Sequence, residues 1–153
     1  HSKGKIMAQG DGKYLRDFVL KVNKGDYDVL DTYSLVFLSN TFSSIDVNVT
    51  NPNLATYTQT SGGTIAKTVL SNFTITRVTT NIKFDADDPA LFAKNASNPA
   101  DVRTILVIND TSASDDAYQV FDATTDGTTP LDLVNNDLTF AFGVNGISTI
   151  TLT

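Results

Sequence analysis

The closing stretch DLTFAFGVNGISTITL, residues 137–152, decides how the chain folds, because its apolar residues fit a β-hairpin in one register only. A two-residue turn at Asn145-Gly146 would pair Phe142 with Thr149 and Phe140 with Thr151, parting the phenylalanines from Ile150 and Leu152. A three-residue loop, Val144-Asn145-Gly146, instead pairs Phe140 with Ile150 and Leu138 with Leu152. Side chains alternate along a strand, so the second register alone gathers the large apolar residues on one face. The sequence therefore predicts that loop, with Gly146 supplying a left-handed conformation.

Upstream the same rhythm repeats, with short apolar bursts separated by turn-forming residues. Strands are expected in YSLVFLS (33–39), IDVNV (45–49), TIAKTVL (64–70), FTITRV (73–78), NIKFDA (81–86), RTILVI (103–108) and YQVFDA (118–123), followed by the two of the hairpin. YSLVFLS and RTILVI are apolar at consecutive positions, which predicts central strands covered on both faces. IDVNV alternates and is expected to be half solvated. The exception to this pattern is DGKYLRDFVLKVNKG. There Tyr14, Leu15, Phe18, Val19 and Val22 trace one helical face, Asp11 is placed to cap and Gly25 to terminate, so a helix is expected over 12–23. The fold class is thus all-β: a two-sheet antiparallel sandwich or jelly roll of about nine strands with one short N-terminal amphipathic helix. Residues 1–12 read as an arm and 13–153 as a single β-sandwich domain.

The chain has 153 residues, no cysteine and a formal charge of −6. Such a length buries roughly 70% of the unfolded surface, so a core needs no disulfide staples. Net negative charge opposes nucleic-acid binding, which depends on lysine and arginine displacing phosphate counterions. No apolar run reaches the roughly 20 residues of a membrane-spanning helix.

The only histidine is His1, so catalytic arrangements built on a histidine base are not expected. Asp85, Asp87 and Asp88 in IKFDADDPALFA are the nearest approach to a carboxylate pair. Alternation puts Asp85 and Asp87 beside Lys83 and away from Ile82 and Phe84, the pattern of a solvated strand face. DADD (85–88), NDTSASDD (109–116) and DATTDG (122–127) have the composition of calcium loops, but Asp122 and Asp126 are four apart with Thr124 between them, and none of the three matches a cation-loop spacing. Asp and Asn starting turns with their own side chains is the favoured reading. Four N-glycosylation patterns begin at Asn48, Asn72, Asn95 and Asn109, and glycosylation is not expected. Sugar binding would need Tyr57, Tyr118 and Phe121 on one surface; core packing is the default for such residues. No catalytic, cofactor-binding or metal-ligating residue is assigned, and no cofactor is expected.

SGGTIAKTVLSNFTITRVTTNIKFDADDPALFA, RTILVINDTSASDDAYQVFDAT and DLTFAFGVNGISTITL together carry a resemblance to a family of small tailed-bacteriophage virion proteins. Shared features are a glycine-bearing loop before a strand, a "DADD" run followed by apolar residues, a strand ending in an "NDT"-like turn, and a closing hairpin. The amphipathic segment and YSLVFLSNT are similar to the family's opening, so the resemblance covers residues 13–153. Pro89-Ala90-Leu91-Phe92 stands where the family has an aromatic two residues after the run, and NASNPAD (95–101) lengthens the return to RTILVI. The resemblance implies a non-enzymatic capsid decoration or cement protein on the capsid exterior. Its implied partners are the major capsid protein and further copies of itself in a homotrimer, with no nucleic acid and no membrane. A tail or head-fibre component and a carbohydrate-binding adhesin are the alternatives. Residues 1–10 and the loop at 95–101 are expected to make contacts outside their own protomer.

Overall fold

The computed structural model describes residues 9–26, 28, 30–62, 65, 67–78, 81–142 and 148–152, those at 19, 75–78, 81–84 and 148–152 by their backbone alone. The elements are β1 (Gly12–Tyr14), α1 (Arg16–Lys24), β2 (Tyr33–Leu38), β3 (Thr68–Val69), β4 (Thr74–Val78), β5 (Asn81–Asp85), β6 (Thr104–Asn109), β7 (Asp116–Asp122), β8 (Leu138–Phe142) and β9 (Ser148–Leu152), with 3₁₀ turns at Phe42–Ser44 and Leu54–Thr56. The protein is mostly β with little helix. Five strands form one antiparallel sheet in the order β1-β7-β6-β2-β3, and β4–β5 and β8–β9 are hairpins.

Strands β2 and β6 lie inside the sheet and every residue of both is buried, as their unbroken apolar runs predict. One face carries Leu35, Phe37, Ile105, Val107, Tyr118 and Phe121, and is covered by Phe18, Phe92, Leu131, Leu133, Leu138 and Phe140. The opposite face carries Val36, Leu38, Leu106, Ile108 and Val120, and is covered by Leu15, Phe42 and Ile45, with Leu54 and Tyr57 packed beside them. Between Val107 and Ile108 the β6–β7 register shifts, leaving one extra residue in β7. This bulge brings Tyr118 and Phe121 to the same face although they are three apart, which strict alternation forbids.

The closing hairpin has the expected register, Leu138 opposite Leu152 and Phe140 opposite Ile150. Gly146 and its loop lie outside the described residues.

Two expectations are corrected. Residues 12–14 form an edge strand paired with β7, and α1 starts only at Arg16, with Leu15 at its N-cap and no capping side chain. Asp11 does not cap it; its carbonyl accepts from the Asp122 N–H at 2.8 Å. Packing decides the matter, because the Phe121 ring lies so close to Gly12 that a Cβ there would sit 2.9 Å from it. Lys13 meanwhile donates to the Phe42 and Ile45 carbonyls at 2.7 and 2.8 Å. Gly25 does end the helix, at φ 77° with its N–H on the Lys21 and Val22 carbonyls. The second correction is IDVNV, which forms no strand. Asp46 Oδ1 accepts from the Asn48 N–H at 2.9 Å, an Asx turn that competes with ladder pairing, while Ile45 is buried under the sheet.

No helix among the described residues is long and apolar enough to cross a membrane. Phe140 is fully buried and its ring meets Phe121 edge-on at 5.3 Å. Phe140→Ala should therefore cost about 3 to 5 kcal/mol in a urea titration; a loss below about 1 kcal/mol would place that ring outside the core.

Candidate functional site

All seventeen acidic residues are aspartates. A carboxylate on one methylene reaches its own backbone readily, and five of the aspartates are used in this way. Asp28, Asp46, Asp122, Asp126 and Asp132 each accept from the N–H two residues on, at 2.9 Å in every case.

The DADD run joins three pieces of chain. Asp85 is half-buried and its Oδ1 accepts from the Ala86 N–H at 3.0 Å. Asp87 is exposed and accepts from Asn72 Nδ2 at 2.6 Å, while its own N–H donates to the Ser71 carbonyl. Asp88, also exposed, accepts from the Phe142 N–H at 2.7 Å. That last contact belongs to a longer pairing. Phe92 and Leu138 exchange both backbone hydrogen bonds at 2.9 Å, and continuing that antiparallel register puts Asp88 opposite Phe142. Residues 88–92 thus run along the outer edge of β8, with the Asp88 carboxylate in place of a backbone acceptor and Pro89 contributing no donor. A sheet edge so covered is closed to stray pairing.

In the 109–116 loop the cations are lysines. The Lys67 ammonium bridges Asp110 Oδ1 at 2.6 Å and Asp115 Oδ1 at 3.0 Å, Ser34 Oγ donates to Asp110 Oδ2, and Lys21 pairs with Asp116. The Lys67 hydrogen bond, reinforced by Ser34, holds the Asp110 carboxyl below its ordinary value of 3.8. The two aspartates in turn raise Lys67 above 10.5. In 122–127, Asp122 is 1% exposed; its Oδ1 takes the Thr124 N–H and hydroxyl, and Oδ2 makes no hydrogen bond among the described residues. Burial lowers the Lys13 ammonium, and the charges of Asp46 and Asp122 act against that. Asp126 is held well below the carboxylate range by hydrogen bonds from Thr129 and Thr128. Among the described residues no group of three or more His, Cys, Asp or Glu is arranged to hold a metal ion.

The other sequence candidates are placed as follows. Tyr118 and Phe121 are buried in one face of the sheet and Tyr57 packs on the other, so the three do not form one surface. Asn109 is 1% exposed and donates to Asp31 Oδ2 at 2.7 Å, closing it to a glycan in the folded chain. Of residues 1–10, only the last two are described. Gln9 Nε2 donates to the Ala123 carbonyl at 2.8 Å and the Gly10 N–H to Asp122 at 2.7 Å, so both attach to their own protomer. The 95–101 loop is also fastened at home. Asn98 is buried and donates to the Ala93 and Leu133 carbonyls, Asp101 accepts from the Ser61 N–H and hydroxyl, and Gly62 packs on the Asn98–Pro99 backbone, where a Cβ would meet atoms at 3.2 Å. On the outer side of the loop Asn95, Ala96 and Ser97 are exposed.

Sequence reasoning missed Lys67 and Lys21 as partners of the acidic loop. Each lies far from it in sequence, and no local pattern links them. No family model, curated protein or solved structure matches the chain.

The Lys67 bridge has a defined pH window. The depressed Asp110 contributes stability above about pH 4 that is lost as pH falls through its folded value; the raised Lys67 contributes below about pH 10.4 and loses it at higher pH. Lys67→Met should cost about 1 kcal/mol or less at neutral pH, as expected for a partly exposed pair, and nearly nothing at a pH acid enough to protonate Asp110. Urea titrations at neutral and strongly acidic pH check this; equal losses at both would mean that the lysine acts through its aliphatic stem.

Proposed function

We propose that the chain is a structural protein of a tailed-bacteriophage virion, a capsid decoration or cement protein. It binds the assembled head through the major capsid protein, on the capsid exterior, as a homotrimer. The observation that carries this reading is the use made of the motifs that resemble that family. The glycine-bearing loop, the DADD run and the NDT turn each fasten one part of the fold to another: Ser61 to Asp101, Asp87 and Asp88 to Asn72 and Phe142, and Asn109 to Asp31. Motifs spent in this way suit a rigid plug better than a catalyst, and the protein in this reading is a binder and not an enzyme.

The finer architecture in this reading is a two-sheet sandwich or jelly roll. β4–β5, residues 88–92 and β8–β9 form its second layer over the five-stranded sheet. Ring contacts between the parts support it: Phe73 stacks on Tyr33 at 3.8 Å, and Phe92 and Phe140 meet Phe37 and Phe121 edge-on.

A ligand that binds the shell and not its separated subunits stabilises the shell by mass action, by about 2.7 kcal/mol per site at a free concentration 100 times Kd. Purified protein added to shells assembled without it, from the capsid protein of the phage that encodes it, should bind saturably and raise the shell's melting temperature. Shells that sediment free of it at saturating concentration would refute the proposal. Imaging the occupied particle separates head sites from tail or fibre sites.

A further inference from the structure

Leu30 is 89% exposed, and the described residues beside it are hydrogen-bonded to one another. Its N–H donates to Asp28 Oδ1 at 2.9 Å, and the Asp28 N–H donates to Asp31 Oδ2 at 3.0 Å. The Asp31 N–H closes back on the Asp28 carbonyl, which also accepts from the Tyr33 hydroxyl at 2.8 Å. Asn109 anchors Asp31 to the end of β6. The apolar group is thus displayed beside Asp28 and Asp31, which hydrogen-bond around its backbone, with Asp26 exposed four residues before it. None of these three carboxylates forms an ion pair among the described residues.

The outer face of α1 has the converse chemistry. Arg16, Leu20 and Lys24 are spaced four apart, fall within one arc of the helix, and are all exposed, Leu20 by 48%. Neither cation forms an ion pair among the described residues. An apolar centre with a basic rim is thus matched by an apolar centre with an acidic rim on the same molecule. Along the sequence, residues 1–24 hold six of the eleven basic side chains and two of the seventeen acidic ones, so the N-terminal segment is basic against an acidic remainder.

We propose that these two surfaces are halves of one contact between copies of this chain: the Leu30 tip of one copy seats on the Arg16-Leu20-Lys24 stripe of the next. The contact is heterologous, so each copy uses one half toward each neighbour and the series closes as a ring. It names the surface for the self-association in the function proposed above and does not depend on head binding, so the test contains no capsid.

Sedimentation velocity of the intact chain at low ionic strength should show self-association that is lost in 1 M salt, where charges are screened beyond about 3 Å. Leu30→Ser and the double variant Arg16→Glu/Lys24→Glu should each be monomeric with unchanged circular dichroism, since all three positions are exposed. Mixing the two variants should restore a heterodimer, because one of the two contacts is then intact on both sides. Leu30→Met, which keeps the apolar tip, should associate like the parent. A monomeric parent chain, variants that associate like the parent, or a mixture that does not pair would each overturn the proposal.

Discussion

The structure depends on one constraint: the strands YSLVFL and TILVIN are apolar on both sides, so the sheet they build cannot tolerate water on either face. Each large side chain fully removed from water contributes about 1.5 to 3 kcal/mol, and the two strands supply most of the sheet's interior. The remaining architecture follows from covering them. Residues 42–57 turn across one face, bringing Phe42, Ile45, Leu54 and Tyr57, and Phe92 together with Leu131, Leu133, Leu138 and Phe140 closes the other. The N-terminal segment serves both faces from the sheet's edge, for Leu15 packs on one and Phe18 on the other.

Covering a sheet with loops instead of helices creates a second problem, because loops expose backbone polar groups that need partners. Short aspartate side chains supply many of them. Five close turns onto the residue two ahead, Asp88 stands in for a strand carbonyl at Phe142, and Asp101 holds the glycine loop at Ser61. The acid-rich segments that raise the question of metal or acid–base chemistry are, in their described contacts, fasteners.

Much of this was legible from the residues. The interior position of β2 and β6 follows from their unbroken apolar runs, and the closing register from where Leu138, Phe140, Ile150 and Leu152 must meet. The helix terminus at Gly25 is visible in its sequence position. What was illegible depended on distant partners. Nothing local shows that Gly12 faces the Phe121 ring, so residues 12–14 read as the first turn of the helix. The β7 bulge hides in the same way, since YQVF alternates correctly until Gln119 is placed opposite Val107 and Ala117 opposite Ile108. IDVNV misleads because Asp46 prefers its own turn to a ladder. Lys67 and the acidic loop are 43 and 48 residues apart, beyond any spacing rule.

Amide hydrogen exchange followed by NMR tests the central claim most directly, since it reads which strands lie inside the sheet. Consecutive amides of β2 and β6 should all exchange slowly, at rates set by global unfolding, and the Phe142 amide should be protected although it lies on the outer edge of β8. Alternating fast and slow amides along β2 or β6, the signature of a strand with one free edge, together with an unprotected Phe142, would contradict the account.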